Sequence, residues 1–323
     1  MTLLAVEDLR IDLTGGDSRH VAVDQVGFTI ARGETFGLVG ESGCGKSITA
    51  LAIMGLLRRP LAIGGGAIRF DGRPIQDLDQ GEWQRLRGKR LAMIFQEPMT
   101  ALNPLLPVGR QIAEMFILHE GASWREAERR AIDVLARVRV PAPELRARDF
   151  PHQLSGGMRQ RVMIAMALAC DPQILIADEP TTALDVTVQS EIVDLMRELC
   201  AANGTAILMI SHDLGLVASM CRSVGVMYAG RLVEMRSSAD IFKAPAHPYT
   251  RGLVASLPRL GSRAAVGQRR LQEISGVVPA IADFSHACRF NPRCDRVSDV
   301  CRTDDPAITT LAGGGFVRCH HHG

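Results

Sequence analysis

Residues 40–47, Gly40-Glu41-Ser42-Gly43-Cys44-Gly45-Lys46-Ser47, fit the pattern G-x-x-x-x-G-K-[ST] at every position, and their flanks restrict the fold more than any other stretch. Before them, Thr35 to Val39 is a short apolar run that predicts a buried strand; after them, Ile48 to Leu57 predicts an apolar helix. Glycines at 40, 43 and 45 tolerate positive φ and place no Cβ in the way. Successive backbone N–H groups can therefore converge on phosphate oxygens at a helix N-terminus. Lys46 would reach the β- and γ-phosphates and Ser47 would ligate Mg²⁺. The alternative is a glycine-rich turn that binds nothing, and the strand-to-helix context counts against it.

A chain of 323 residues predicts one large α/β domain plus an appendage. No apolar stretch approaches the ~18 residues of a membrane span. The first residues, MTLLAVEDLRID, carry acids early and lack a basic region before an apolar core, so no secretory signal is expected. A net charge of +2 without a long basic block gives no sign of the electrostatic footprint of a nucleic-acid binder. Eight cysteines in a chain expected to be cytosolic argue against a disulfide framework.

Alternation at Leu9, Ile11 and Leu13, and again at Val26, Phe28 and Ile30, predicts an antiparallel β-layer with a turn at Gly15-Gly16-Asp17. Ala67 to Phe70 followed by Asp71-Gly72 predicts a hairpin. Leu91 to Phe95 is a second buried strand ending at Gln96. Residues 100–170 become helical, with a capping box at Ser123 and Glu126 and one apolar face of Ala127, Ala131, Val134, Leu135 and Val138, stopped by Pro141 and Pro143. Strand character returns at Ile174 to Ala177. Asp185 caps a helix that carries Val188, Ile192, Leu195, Met196 and Leu199 and ends at Asn203-Gly204. Thr205 to Ile210 is another strand, and the alternation predicts a mostly parallel sheet.

Asp178 and Glu179 end the apolar run Ile174 to Ala177, at the strand edge where open α/β sheets bind ligands. Asp178 would hold the Mg²⁺ shell while Glu179 polarises a water. Leu154-Ser155-Gly156-Gly157-Met158-Arg159-Gln160 precedes a long helix, either as a second anion-binding N-terminus or as a plain N-cap. With these residues the sequence resembles the ATP-binding-cassette (ABC) ATPases over residues 3–255. Their LSGGQ-like signature precedes the strand that delivers the two carboxylates.

That resemblance implies a P-loop NTPase (RecA-like) core with an antiparallel β-subdomain, an inserted helical subdomain and a small Cys-rich C-terminal extension. The implied domains are 1–256 for the ATPase, with helical residues about 100–170, and 257–323 for linker and extension. Gln96 resembles the Q-loop glutamine beside the metal, and Thr182-Ala183-Leu184-Asp185 the D-loop. His212 resembles the switch histidine at the γ-phosphate. Ser155, Gly156 and Gly157 would act on the nucleotide of an opposite subunit. Many relatives stack an aromatic residue on adenine, but Thr14 to Val21 contains none; His20 or Arg19 could substitute.

Phe95 to Pro104, His247-Pro248-Tyr249-Thr250 and Cys288-Arg289-Phe290-Asn291-Pro292-Arg293-Cys294 resemble the ATPase subunits of dipeptide, oligopeptide and nickel importers. The resemblance implies a second ATPase subunit (a heterodimer), two permeases, an extracytoplasmic substrate-binding protein and a peripheral place on the cytoplasmic face of the membrane. A soluble cassette acting on nucleic acid or ribosomes is the alternative, but the interval from Lys46 to Ser155 has no inserted coiled coil and each motif occurs once. A redox or metal module with the ATPase as accessory is a third reading. The tail spacing Cys288-x5-Cys294-x6-Cys301-x17-Cys319 resembles an iron–sulfur-binding extension and implies a [4Fe–4S] cluster of structural role. Zn²⁺ is the runner-up, with His286 and His320 to His322 as further donors. These cysteines lie beyond every nucleotide motif.

Overall fold

The computed structural model describes residues 1–15, 18–96, 101–181, 185–257 and 274–322. Expectations for the tip of the first turn (16–17), the residues after Gln96 (97–100), most of the D-loop (182–184) and the linker (258–273) lie outside the described residues. In chain order the elements are β1 (Thr2–Gly15), β2 (Ser18–Ala31), β3 (Thr35–Val39), α1 (Lys46–Ile53), β4 (Leu61–Phe70), β5 (Arg73–Pro74), α2 (Gln80–Leu86) and β6 (Leu91–Ile94). Then come α3 (Val108–Glu120), α4 (Trp124–Arg137), α5 (Gly156–Leu168), β7 (Ile174–Asp178), α6 (Val186–Asn203), β8 (Ala206–Ser211), α7 (Leu214–Met220), β9 (Ser223–Tyr228) and β10 (Arg231–Ser237). The chain continues with α8 (Ser238–Lys243), α9 (Pro248–Ala255), α10 (Asp299–Thr303), β11 (Ile308–Thr310) and β12 (Phe316–Arg318).

Contacts divide the chain into two compact units. The phosphate-loop unit comprises Leu3–Thr29, Thr35–Gln76 and Ile210–Gly323. It contains a four-stranded sheet in the order β2-β1-β4-β5. Strands β1 and β4 run antiparallel with Val6 opposite Ile68, and the register shifts between Glu7 and Arg10, where Asp8 has φ +45°. The Asp71-Gly72 hairpin forms as expected: both residues have positive φ, the requirement of a two-residue turn that matches strand twist.

In the same unit β3 pairs parallel with β9, β9 antiparallel with β10, and β10 antiparallel with β12. The Cys-rich extension thus supplies strands to the sheet that carries the phosphate loop. Helix α7 packs on β3, so close at Gly37 that a Cβ there would lie 2.0 Å from Val217 Cγ1. Tyr228, Tyr249 and Phe290 form an aromatic cluster with centroids 4.8–5.5 Å apart, which joins β9, α9 and the extension.

The helical unit comprises Met1–Thr2, Ile30–Glu34 and Asp77–Met209. Strands β6 and β7 are parallel, and β8 lies beside β7. Helix α5 packs on β6, α3, α4 and α6. The expected face of α4 is buried at Ala127, Ala131, Val134 and Leu135, against α3. Its Ser123 hydroxyl accepts from the Glu126 N–H, but no return bond completes a capping box. Three boundaries differ from expectation. Helix α1 starts at Lys46 because Gly45 is its N-cap, and it ends before Gly55, where φ is +62°. Strand β6 stops at Ile94, leaving Phe95 39% exposed, and the last apolar position of α6 is the buried Cys200, with Leu199 only partly covered.

Candidate active site

In the phosphate-loop unit, β3 is buried from Phe36 to Val39 and ends in the loop. At Gly40 a Cβ would meet the Met227 carbonyl oxygen at 2.2 Å, so only glycine lets the chain turn there. Gly45 caps α1 at φ +108°, outside the range of L side chains. Ser42 and Gly43 are exposed, while Cys44 and Lys46 are buried. Lys46 folds back across the loop: Nζ donates to Gly40 O at 2.7 Å and Glu41 O at 3.0 Å and lies 3.7 Å from Cys44 Sγ. Burial pushes the Cys44 thiol above its usual pKa, so it is a packing group under the loop. Ser47 is half-buried on the first turn of α1. Glycine backbone, a helix N-terminus and one ammonium form a donor set suited to a polyphosphate.

His212 follows β8 and is exposed. Asp213 beside it donates its N–H to Ser211 Oγ and caps α7 through the Leu216 N–H, which fixes the backbone on which His212 stands. Arg19 is engaged by Asp12, whose carboxyl is raised by burial but held below the usual range by bonds from Arg19 and Arg10. That pairing leaves Arg19 poorly suited to stack on adenine.

In the helical unit, parallel pairing of Ile94 with Ala177 carries two residues further to Gln96 and Glu179. Gln96 Nε2 donates to Glu179 Oε2 at 3.1 Å. Asp178 is only 4% exposed at the end of β7. Glu179 has φ +46°, a conformation that costs a side-chain-bearing residue about 1–3 kcal/mol and recurs at functional sites. Ser155 is the N-cap of α5, its hydroxyl accepting from the Met158 N–H at 3.3 Å. Ser155 and Gly156 are exposed, and a Cβ on Gly157 would come within 3.2 Å of Val188 Cγ1. The signature thus presents bare N–H groups of a helix start to solvent.

All four tail cysteines are free thiols. Burial pushes Cys288 up to about 11, and the charges of Cys301, Cys319 and Cys294 act on it in the same direction. Three of them accept a backbone N–H from two residues ahead: Cys288 from Phe290, Cys294 from Arg296 at 3.4 Å and Cys319 from His321 at 3.3 Å. The fourth, Cys301 Sγ, lies 3.6 Å from Ser298 Oγ. Among the described residues, however, no three His, Cys, Asp or Glu side chains come together in a way that could hold a metal ion, which counts against zinc and against an iron–sulfur cluster alike at this place.

Sequence reasoning missed Tyr249 and Arg293 as neighbours of the phosphate loop. The Glu41 N–H donates to Tyr249 Oη at 2.9 Å, and the Glu41 carboxylate receives Arg293 Nη1 at 2.6 Å and Nη2 at 3.1 Å. Both residues stand in motifs that the sequence singled out only as markers of resemblance.

The family model described as "ABC transporter" matches residues 23–182, and that of the "Oligopeptide/dipeptide transporter, C-terminal region" matches residues 233–301. The dipeptide transport ATP-binding protein DppD of Escherichia coli is 45% identical over 321 residues, 99% of this chain and 97% of that one. The oligopeptide transport ATP-binding protein OppD of Salmonella typhimurium is 48% identical over 317 residues, 98% of this chain and 93% of that one. Among solved structures, the dimeric post-hydrolysis state of the ATP-binding cassette MJ0796, bound to ADP and Pi, superposes with a TM-score of 0.66 at 28% identity. It covers 73% of this chain and 99% of that one.

Proposed function

The chain belongs to the ABC transporter family, and we propose that it is the ATP-hydrolysing subunit of a dipeptide or oligopeptide importer. The observation that carries the chemistry is the loop from Gly40 to Ser47, with its buried ammonium and glycine backbone at the head of α1. The names and near full-length identity of DppD and OppD support peptides over nickel as cargo.

In this reading Lys46 exchanges its two carbonyl partners for phosphate oxygens, and the N–H groups of Gly43, Cys44 and Gly45 bind the phosphate chain. Ser47, Asp178 and Gln96 are the candidate holders of Mg²⁺, which when bound neutralises charge on the β- and γ-phosphates. Glu179 accepts the proton of the attacking water, with Gln96 orienting its carboxylate. His212 contacts the γ-phosphate. Ser155, Gly156 and Gly157 offer a helix N-terminus to the nucleotide of a second ATPase subunit, a reading supported by the dimeric MJ0796 cassette.

No helix among the described residues is long and apolar enough to cross a membrane. We assign the protein to the cytoplasmic face of the membrane, bound to two permeases that an extracytoplasmic binding protein supplies. Exposed Leu105, Leu118, Trp124 and Leu145 on the inserted helical segment support that segment as the permease contact. Residues 1–256 are the cassette, and 257–323 the linker and extension. For the extension the sequence favours a [4Fe–4S] cluster held by Cys288, Cys294, Cys301 and Cys319 as a staple; the N–H donors to its sulfurs favour it, whereas among the described residues the four thiols are not gathered as a metal-holding group.

The test is ATP-dependent uptake of labelled di- and oligopeptides by membrane vesicles containing this chain with its permeases and partner ATPase. Uptake should stop in the Glu179→Gln variant. Co-purification with nucleic acid and no peptide uptake would sink the importer reading.

A further inference from the structure

Every polar group of Glu41, the second residue of the phosphate loop, is engaged. Its N–H donates to Tyr249 Oη, its carbonyl oxygen accepts from Lys46 Nζ at 3.0 Å and from the Cys44 N–H at 3.3 Å, and its carboxylate is gripped by both terminal nitrogens of Arg293. Arg293 is as fully committed. Its Nε donates to Ser275 O at 2.7 Å, its Nη2 also reaches Ile274 O and Gly276 O at 3.1 Å each, and its side chain is 4% exposed. It stands at the end of the short helical turn Asn291–Arg293, immediately before Cys294. Phe290, the N-cap of that turn, packs on Tyr228 and Tyr249.

We propose that Arg293 is a positioning residue for the phosphate loop, through which the Cys-rich extension sets the affinity of the cassette for ATP. A carboxylate inside a loop that binds a polyanion is a liability, because an unpaired Glu41 would repel the incoming phosphates. The fork of Arg293 cancels that charge and fixes the loop at its second residue, while Tyr249 fixes the backbone from the other side. A lysine would keep the charge but lose the two-point grip. The expectation that the extension lies beyond the nucleotide machinery is thereby revised: its cysteine turn and the loop share one guanidinium. The inference rests on the reading that residues 40–47 bind ATP.

The experiment measures binding of a fluorescent ATP analogue, and KM and kcat for hydrolysis, in the full chain. Wild type should bind saturably and Lys46→Ala should not; a wild type that fails to bind sinks the ATP reading itself, and this inference with it. Arg293→Gln should raise KM about tenfold with kcat within about twofold, and Arg293→Lys about threefold, as expected for loss of a charge-assisted fork and for its partial retention. The deciding readout is rescue. Adding Glu41→Gln to Arg293→Gln removes the stranded charge and should return KM to within about threefold of wild type. A folded Arg293→Gln with unchanged KM overturns the proposal. So does a KM increase that Glu41→Gln does not relieve, because that result marks a structural role alone. If Arg293→Gln does not fold, Arg293→Lys decides, and unchanged KM there also overturns it.

Discussion

Gln96 lies opposite Glu179, its side-chain amide donating to the carboxylate across 3.1 Å at the ends of two parallel strands. A base held by a neutral amide keeps its direction, and Gln96 is also the residue from which the chain enters the inserted helices. Replacing Glu179 with Gln should therefore lower hydrolysis by at least about 10²-fold while ATP still binds. Phosphate release and nucleotide titration, measured side by side, check this; near-normal hydrolysis removes Glu179 from the base role. Gln96→Ala should instead reduce transport-coupled turnover in vesicles more than it weakens nucleotide binding.

Lys46 is satisfied by the loop's own carbonyls, so its loss removes both a phosphate ligand and the brace that keeps Gly40 and Glu41 facing inward. Lys46→Ala should abolish turnover and weaken ATP binding by about 10²-fold or more. Calorimetric titration with Mg-ATP gives the affinity directly. Binding within a few-fold of wild type would contradict the assignment.

Stability should fall on the acid side through one buried histidine. Burial, with Arg251 adding to it, pushes His247 down to about 3, and its Nδ1 accepts the Tyr249 N–H, which requires the neutral ring. The unfolded chain takes up a proton near pH 6.5 and the folded one does not. The His247 contribution is thus complete above pH 6.5 and is lost as pH drops toward 3, amounting to about 2 kcal/mol by pH 5. Denaturant midpoints for wild type and His247→Asn, which keeps the cap without titrating, should diverge over that range. Parallel acid limbs would assign the loss to another group.

Protein purified without oxygen should be brown and contain iron and acid-labile sulfide if the four tail thiols hold a cluster. Cys294→Ser or Cys301→Ser should bleach it, and Cys200→Ser should not, since Cys200 is a buried core thiol pushed up to about 12. A colourless preparation with stoichiometric zinc and no iron would end the cluster assignment.

Local pattern made much of this molecule legible. The phosphate loop, the apolar face of α4, the N-caps at Ser155 and Asp185, and the Asp71-Gly72 turn depend on residues a few positions apart, where periodicity and capping chemistry act. The pairing of Gln96 with Glu179 came within reach because both end buried strands. The Arg293–Glu41 contact spans most of the chain, and nothing near either residue marks it. The same holds for Asp24, which receives both Arg231 and Arg289, and for Phe316–Arg318, too short a run to read as a sheet strand. Long-range polar pairing leaves no periodic trace, because one charged residue on a surface loop looks like any other until the fold supplies its partner.

The pairing of β12 with β10 also bears on the order in which this sheet can form. The sheet that bears the phosphate loop begins with residues made early and is completed by Phe316–Arg318, made nearly three hundred residues later. Contacts of such sequence separation form slowly, and the outer edge of β10 stays open until they do. A chain two-thirds synthesised, past His212, therefore contains every nucleotide motif without the finished platform beneath them. The edge of β10 that β12 covers is thus closed by the last strand of the sheet to be made.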